Sequence, residues 1–152
     1  LLSRGIESAI LPACRELGVG ATAYGVLSRG LLSGHWSKDR GASPGDFRAH
    51  SPRFQGENLD RNLALVEALR SVAAGLGVTV AQAAIAWVLS RGADIVPLVG
   101  ARRRDRLSEA LAALPVTLAA ADLAAMERAI PQGAAAGGRY DPRQMAILDS
   151  EK

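Results

Sequence analysis

Cysteine is nearly absent. Cys14 stands alone among 152 residues, which excludes an intrachain disulfide framework and a cysteine-rich zinc site and points to a reducing compartment. Aromatic residues make up only 4% of the chain, so the core must be built from Ala, Leu, Val and Ile, a composition suited to helices packed on buried parallel strands. No apolar run is long enough to span a bilayer and no charged-then-apolar leader opens the chain. Neither a membrane span nor a signal peptide is read, and a cytoplasmic protein is expected. The chain opens on Leu1 and has no methionine before Met126, so an ordinary translation start is not represented and a fragment of a longer protein is expected. Histidine is limited to His35 and His50, with no Cys, Asp or Glu at metal-ligand spacing around them. Both are expected as solvated loop residues, and no metal site is expected.

What is present has the balance of an ordinary globular domain, with 49% hydrophobic residues and a mean hydropathy of +0.11. The net charge of +3 and a pI near 9.6 raise the possibility of a nucleic-acid partner. The acids are scattered, however, and much of the excess lies in the run Arg102 to Arg106, with no stacking aromatics beside it, so no nucleic-acid partner is expected.

Periodicity supplies the elements. Ile6, Ile10, Ala13 or Cys14, and Leu17 recur at helical spacing, predicting a helix from Gly5 to Leu17 stopped by Gly18, with Pro12 tolerated near its first turn or bending it. Val19 to Tyr24 reads as a short strand, and Gly25 to Gly56 as a long loop. Leu59, Leu63, Val66, Leu69, Ala73 and Leu76 mark one face of a helix ending at Gly77. Thr79 and Gln82 have capping-box spacing for a second helix, with Ala84, Ile85, Val88 and Leu89 on its buried face and Gly92 beyond its end. Trp87 is expected in the core. Asp94 to Val99 reads as an apolar strand containing Pro97, followed by a helix from about Arg103 to Ala113. A last short helix is stapled by Leu118 and Leu123, with Ala119 a poor residue at its cap. After Pro131 the stretch Gly133 to Gly138 reads as a flexible tail. The expected division is therefore a domain over 1–132 and a C-terminal tail over 133–152.

Two strands separated by helical crossover material make an α/β pattern. Two strands alone leave their edges unpaired and their apolar faces half covered, so the sheet is expected to be part of a larger one. The chemistry-bearing residues cluster after the second strand. A strand ending at Gly100 and opening into a helix points backbone N–H groups at an anion, and Arg102 and Arg106 offer guanidinium groups that grip phosphate bidentately; a solvated, charged helix start is the plainer alternative. Trp36 and Phe54 are read either as a pocket wall or as packing anchors.

Four segments carry a family resemblance that covers nearly the whole chain. GVGATAYGVLSRGLLSG, from Gly18 to Gly34, is similar to the seventh strand and following loop of aldo-keto reductases, where a pattern like AYSPLGRGFLTG is usual. PRFQGENLDRNLALVEAL, from Pro52 to Leu69, resembles the post-loop helix of a bacterial branch of that superfamily. The stretch Val78 to Gly92 resembles the helix before the last strand. DIVPLVGARRRDRLSEAL, from Asp94 to Leu111, looks like the eighth strand and the adenosine-phosphate loop, where IPGTRRxERLEEN is the usual pattern.

The resemblance implies the C-terminal part of a TIM (β/α)8 barrel, incomplete here, with its active site at the C-terminal mouth. It implies NADPH as cofactor and reduction of small-molecule aldehydes or ketones to alcohols. On that reading Tyr24 stacks on the nicotinamide, and Leu27, Arg29 and Gly30 line the pyrophosphate, with Gly25, Val26 and Ser28 in place of the usual Ser, Pro and Gly. Gly100 and Ala101 lie against the 2′-phosphate region, Arg102 and Arg106 bind that phosphate, and Glu109 contacts the adenine side. Ala101 replaces a hydroxyl residue and Ala110 the usual Asn. The tyrosine, lysine, aspartate and histidine of the family's chemistry come from earlier strands. The only lysines are Lys38 and Lys152, neither placed beside a strand-borne tyrosine, so no catalytic residue is assigned and the isolated chain is expected to be inactive. Two rivals accompany this reading: a non-catalytic interaction protein on the same barrel, and a decayed remnant.

Overall fold

The computed structural model describes residues 1–40 and 45–148. Positions 41–44 of the expected loop and the end of the expected tail, Lys152 included, lie outside the described residues. The helix expected from Gly5 to Leu17 is in two pieces, a 3-10 turn at Gly5–Glu7 and α1 at Ile10–Glu16. Pro12 explains the break. In a continuous helix its ring would meet the carbonyl of Ser8, whereas in the first turn of α1 it takes the place of a donor that has no helical partner.

Two three-residue strands follow the expected order but are shorter than expected: β1 is Ala21–Ala23 and β2 is Ile95–Pro97. They pair in parallel, with Ala21 opposite Ile95, Thr22 opposite Val96 and Ala23 opposite Pro97. Ala21 N donates to Asp94 O at 2.8 Å and Leu98 N to Ala23 O at 2.9 Å. Alternate residues of a strand face one neighbour, so the nitrogen of Pro97 points away from β1 and its missing N–H costs this ladder nothing.

Between the strands lie α2 (Gly56–Gly75) and α3 (Val80–Leu89). The expected capping box is present: Gln82 N donates to Thr79 Oγ1 at 3.2 Å, and Thr79 N donates to Gln82 Oε1 at 2.9 Å. Helix α3 is the hub. Val80, Ala81, Ala83, Ala84, Ile85, Ala86, Trp87 and Val88 are all buried, and its alanines let β2, α2, α4 (Arg104–Leu111) and the turn at Ser28–Ser33 approach closely. Among the described residues no single helix is long and apolar enough to cross a membrane.

The expected long loop is organised into 3-10 turns, including Ser28–Ser33, Phe47–His50 and Pro52–Phe54. Trp36 and Phe54 meet edge to face at 5.0 Å and are buried, as packing anchors are, and Phe54 also lines a cavity. Helix α5 is Ala120–Ala129. Its cap residue Ala119 lacks a side-chain acceptor, and the Asp122 carboxylate supplies the half of the box that needs none, accepting from Ala119 N at 2.8 Å.

The stretch Gly133 to Gly138, expected as a flexible tail, is docked. Asn62 of α2, fully buried, donates to Arg53 O at 3.0 Å and to Ala136 O at 2.8 Å and accepts from Ala136 N at 2.8 Å. Gly137 has φ +83°, and a Cβ there would come within 2.8 Å of the Pro52 carbonyl carbon. A short α6, Pro142–Ala146, follows and is capped by Asp141.

Candidate functional site

A cleft of about 410 Å³ opens where both strands end. Tyr24 directly follows Ala23 of β1, and Leu98, Val99 and Gly100 follow Pro97 of β2, so these residues share the carboxyl rim of the two-stranded sheet. Ala81 and Ile85 of α3 line it as well, and α4 contributes Arg106, Glu109 and Ala110. Ligand sites in α/β folds lie at this end of the strands.

Of the residues singled out from sequence, Tyr24, Leu27, Arg29, Gly30, Gly100, Arg106 and Glu109 line this cleft together. Ala101 and Arg102 are exposed and are not part of its lining. Tyr24 is 66% exposed, so a face of its ring is accessible to a flat partner. Arg29 is stacked, its guanidinium 4.6 Å from the centre of the Phe47 ring and 4.5 Å from that of Tyr140, so aromatic contacts share it with the cleft.

The backbone behind Arg29 is unusual. Ser28 and Arg29 have φ of +46° and +60°, followed by Gly30 at +97°, and left-handed backbone is unfavourable for residues bearing a Cβ. Ser28 occupies the position where the family pattern has glycine. The turn is closed by Ser28 N to Gly25 O at 2.7 Å and Gly30 N to Leu27 O at 2.9 Å.

On the opposite wall Arg106 Nη1 donates to Glu109 Oε2 at 3.0 Å. Arg106 Nη1 also contacts His35 Nε2, and His35 Nε2 lies 3.7 Å from Glu109 Oε2. The expectation that both histidines are simply solvated therefore holds for exposed His50 but not for His35, which joins the loop to α4. Nothing in local sequence foretells this, since the two partners are 71 positions apart. Asp105, in the first turn of α4, has its carboxyl held below the usual range, chiefly by the hydrogen bond from Arg103. Lys38 pairs with Asp60 at 2.8 Å.

A second cavity of about 250 Å³ shares Tyr24, Gly25, Val26 and Arg29 with the first and is also lined by Ser28, Arg53, Trp87, Arg91 and Tyr140. Tyr24 and the turn after it thus separate two spaces.

An α/β fold with a cleft at the carboxyl ends of parallel strands defines the broad class. The match to known proteins narrows it: the aldo/keto reductase family model matches residues 1–131, and the chain belongs to the aldo/keto reductase family. It is 41% identical over 140 residues to probable aldo-keto reductase 1 of Glycine max, a match covering 92% of this chain and 40% of that protein. It is 35% identical over 136 residues to the aldo-keto reductase yakc of Schizosaccharomyces pombe, whose name specifies NADP(+), covering 90% of this chain and 40% of that one. Its fold is similar to that of the glycerol dehydrogenase AKR11B4 from Gluconobacter oxydans, with a TM-score of 0.75 and 30% identity over 86% of this chain and 41% of the other. The chain thus spans about two-fifths of the length of these relatives.

Proposed function

We propose that this chain forms the cofactor-phosphate side of an NADPH-dependent oxidoreductase that reduces aldehydes or ketones, its two strands being part of an eight-stranded barrel. The observation that carries the reading is the shared cleft: an exposed aromatic ring at the end of β1 and a guanidinium on α4 line one space, as a ligand with a flat ring at one end and a phosphate at the other requires. Anion chemistry suits the Arg106 end. A carboxylate, that of Glu109, is already hydrogen-bonded to Arg106 there, and a phosphate oxygen makes the same kind of charge-assisted bond. When bound, the nicotinamide group would supply the hydride.

The roles of this chain's residues on that reading are to bind and orient. Tyr24 offers its ring to the nicotinamide; Leu27, Arg29 and Gly30 form the wall for the pyrophosphate; Gly100 and Arg106 receive the 2′-phosphate, with Glu109 toward the adenine. Ala101 and Arg102, outside the lining, take part from the mouth of the cleft. The proton donor is taken to come from other strands of the barrel, since Lys38 lies in the 3-10 turn Lys38–Arg40 and not on a strand. The isolated chain is therefore expected to bind cofactor without turning it over.

Calorimetric titration of the 152-residue chain with NADP(+) and NAD(+) tests this. NADP(+) should bind tighter, and Arg106→Gln should remove the difference, a loss of about tenfold or more for a charge-assisted phosphate contact. Equal affinity for the two cofactors in the parent chain would overturn the assignment.

A further inference from the structure

The stretch Gly133 to Gly138 lies beyond residues 1–131, which the family model matches, and its docking carries one more side chain toward the cleft. Ala136 is held by Asn62, and Gly137 O accepts from Arg53 Nε at 3.3 Å. Three residues further on, the Tyr140 ring meets Arg29, its centre 4.5 Å from the guanidinium carbon. Phe47, from the 3-10 turn Phe47–His50, meets the same guanidinium at 4.6 Å. Two rings remote from each other in sequence therefore hold one cation, and that cation lines both the cleft and the second cavity.

The means of holding it matters. Arg48, also beside this turn, is fixed by a carboxylate: its Nε donates to Asp46 Oδ1 and Oδ2, each at 2.9 Å, which spends that donor. Its Nη1 donates to Arg29 O at 3.3 Å and so supports the left-handed backbone of the turn. The Arg29 side chain is fixed differently. It lies over rings, and among the described residues no carboxylate pairs with it. Contact with a ring uses the flat face of a guanidinium and leaves the N–H groups around its edge open to hydrogen bonds. Without the rings, a guanidinium on a long stem has to be ordered by its ligand, at a cost in affinity.

We propose that Tyr140 is a positioning residue for the cleft: its ring, brought in by the docked C-terminal segment, orders the Arg29 side chain while leaving its donors unspent. This rests on the reading of the cleft given above, in which Arg29 faces the pyrophosphate, and it gives a segment outside the family match a part in binding. The contact is made by the ring and not by the hydroxyl, which has no partner among the described residues. Phenylalanine should therefore serve at this position as well as tyrosine.

The test is calorimetric titration of the 152-residue chain with NADP(+), each variant being checked for a cooperative thermal melt. Tyr140→Leu, which keeps apolar bulk at a half-buried position but removes the ring, should weaken NADP(+) by about three- to tenfold, the range set by ordering one long side chain. Tyr140→Phe should bind as the parent does. In an Arg29→Met background no guanidinium is left to hold, so adding Tyr140→Leu should weaken binding no further. A loss as large there as in the parent background would mean that Tyr140 acts through general packing, and the role would be refuted. Unchanged affinity in Tyr140→Leu, or failure of Tyr140→Phe to match the parent, would refute it equally while the cleft reading stands. If the parent chain does not bind NADP(+), the cleft reading fails and takes this role with it.

Discussion

The two sides of the α2–α3 hub hold their chain segments by different means. On one side the stretch Gly133 to Gly138 is fixed by Asn62, whose buried amide makes three hydrogen bonds with main-chain atoms of Arg53 and Ala136. On the other, the Ser28–Gly30 turn beside the cleft has left-handed backbone at two residues with side chains, and its Arg29 is held by ring contacts. The first arrangement satisfies every group it buries; the second places strain next to an open, partly polar space. Strain next to such a space is tolerated where backbone shape is set by what the cleft must accommodate.

That contrast can be broken most severely at Asn62. Replacing it with Ala leaves the N–H and C=O of Ala136 and the C=O of Arg53 without this partner, at a cost of about 3 kcal/mol, since each buried group left unsatisfied costs about 1–3 kcal/mol. A thermal melt should fall by about 10 °C, and 133–138 should become the first site of proteolysis. Unchanged melting would mean that the tail is held by something other than this amide. Ser28→Gly acts in the opposite direction. Removing the Cβ from a residue at φ +46° relieves about 1–2 kcal/mol, partly offset by the greater freedom of glycine in the unfolded chain. The expected net gain is about 0.5–1 kcal/mol, read as a higher urea midpoint at unchanged slope. A lower midpoint would show that the turn is not strained.

The elements were legible wherever a local rule governs them. Thr79 and Gln82 announced the start of α3 because the box is made within one turn. The buried stripe Val66, Leu69 and Ala73 followed from the 3.6-residue repeat. Local rules failed where a distant partner decides. Asn62 lies on the same stripe as Val66, Leu69 and Ala73, but no local rule says that its amide will meet Ala136, and Gly133 to Gly138 looks flexible because glycine content says nothing about docking. At the candidate site, Tyr24, Gly100, Arg106 and Glu109 were readable because each lies at a strand end or in the helix that follows. His35 was not, since its partner arrives through the packing of α4 across the loop. Arg102, singled out with Arg106 from the strand-end and helix-start pattern and the family resemblance, lies exposed just before α4 and outside the cleft lining.

The smallest effect belongs to the clamp at the other end of the strands. Arg15 of α1 donates to Asp94 through Nε at 2.9 Å and to Arg91 O through Nη2 at 2.6 Å, just before β2 begins. Gly92, at φ +152°, is wedged against this pair, since a Cβ there would overlap the Asp94 carboxylate and come within 2.7 Å of Arg15 Nη2. The hydrogen bond from Arg15 is the main cause holding the Asp94 carboxyl below its ordinary value, helped by its own backbone N–H. A carboxyl whose folded value is depressed contributes stability that is complete above the unfolded aspartate value of about 3.9 and is lost as pH falls through the folded one. The stability difference between the parent chain and Asp94→Asn should therefore be flat from pH 8 to 5 and shrink below about pH 4. Because the pair is solvated, the difference should be small and should shrink further in high salt. A difference that instead grows toward acid pH would mean that Asp94 does not hold α1 to the strand as a carboxylate.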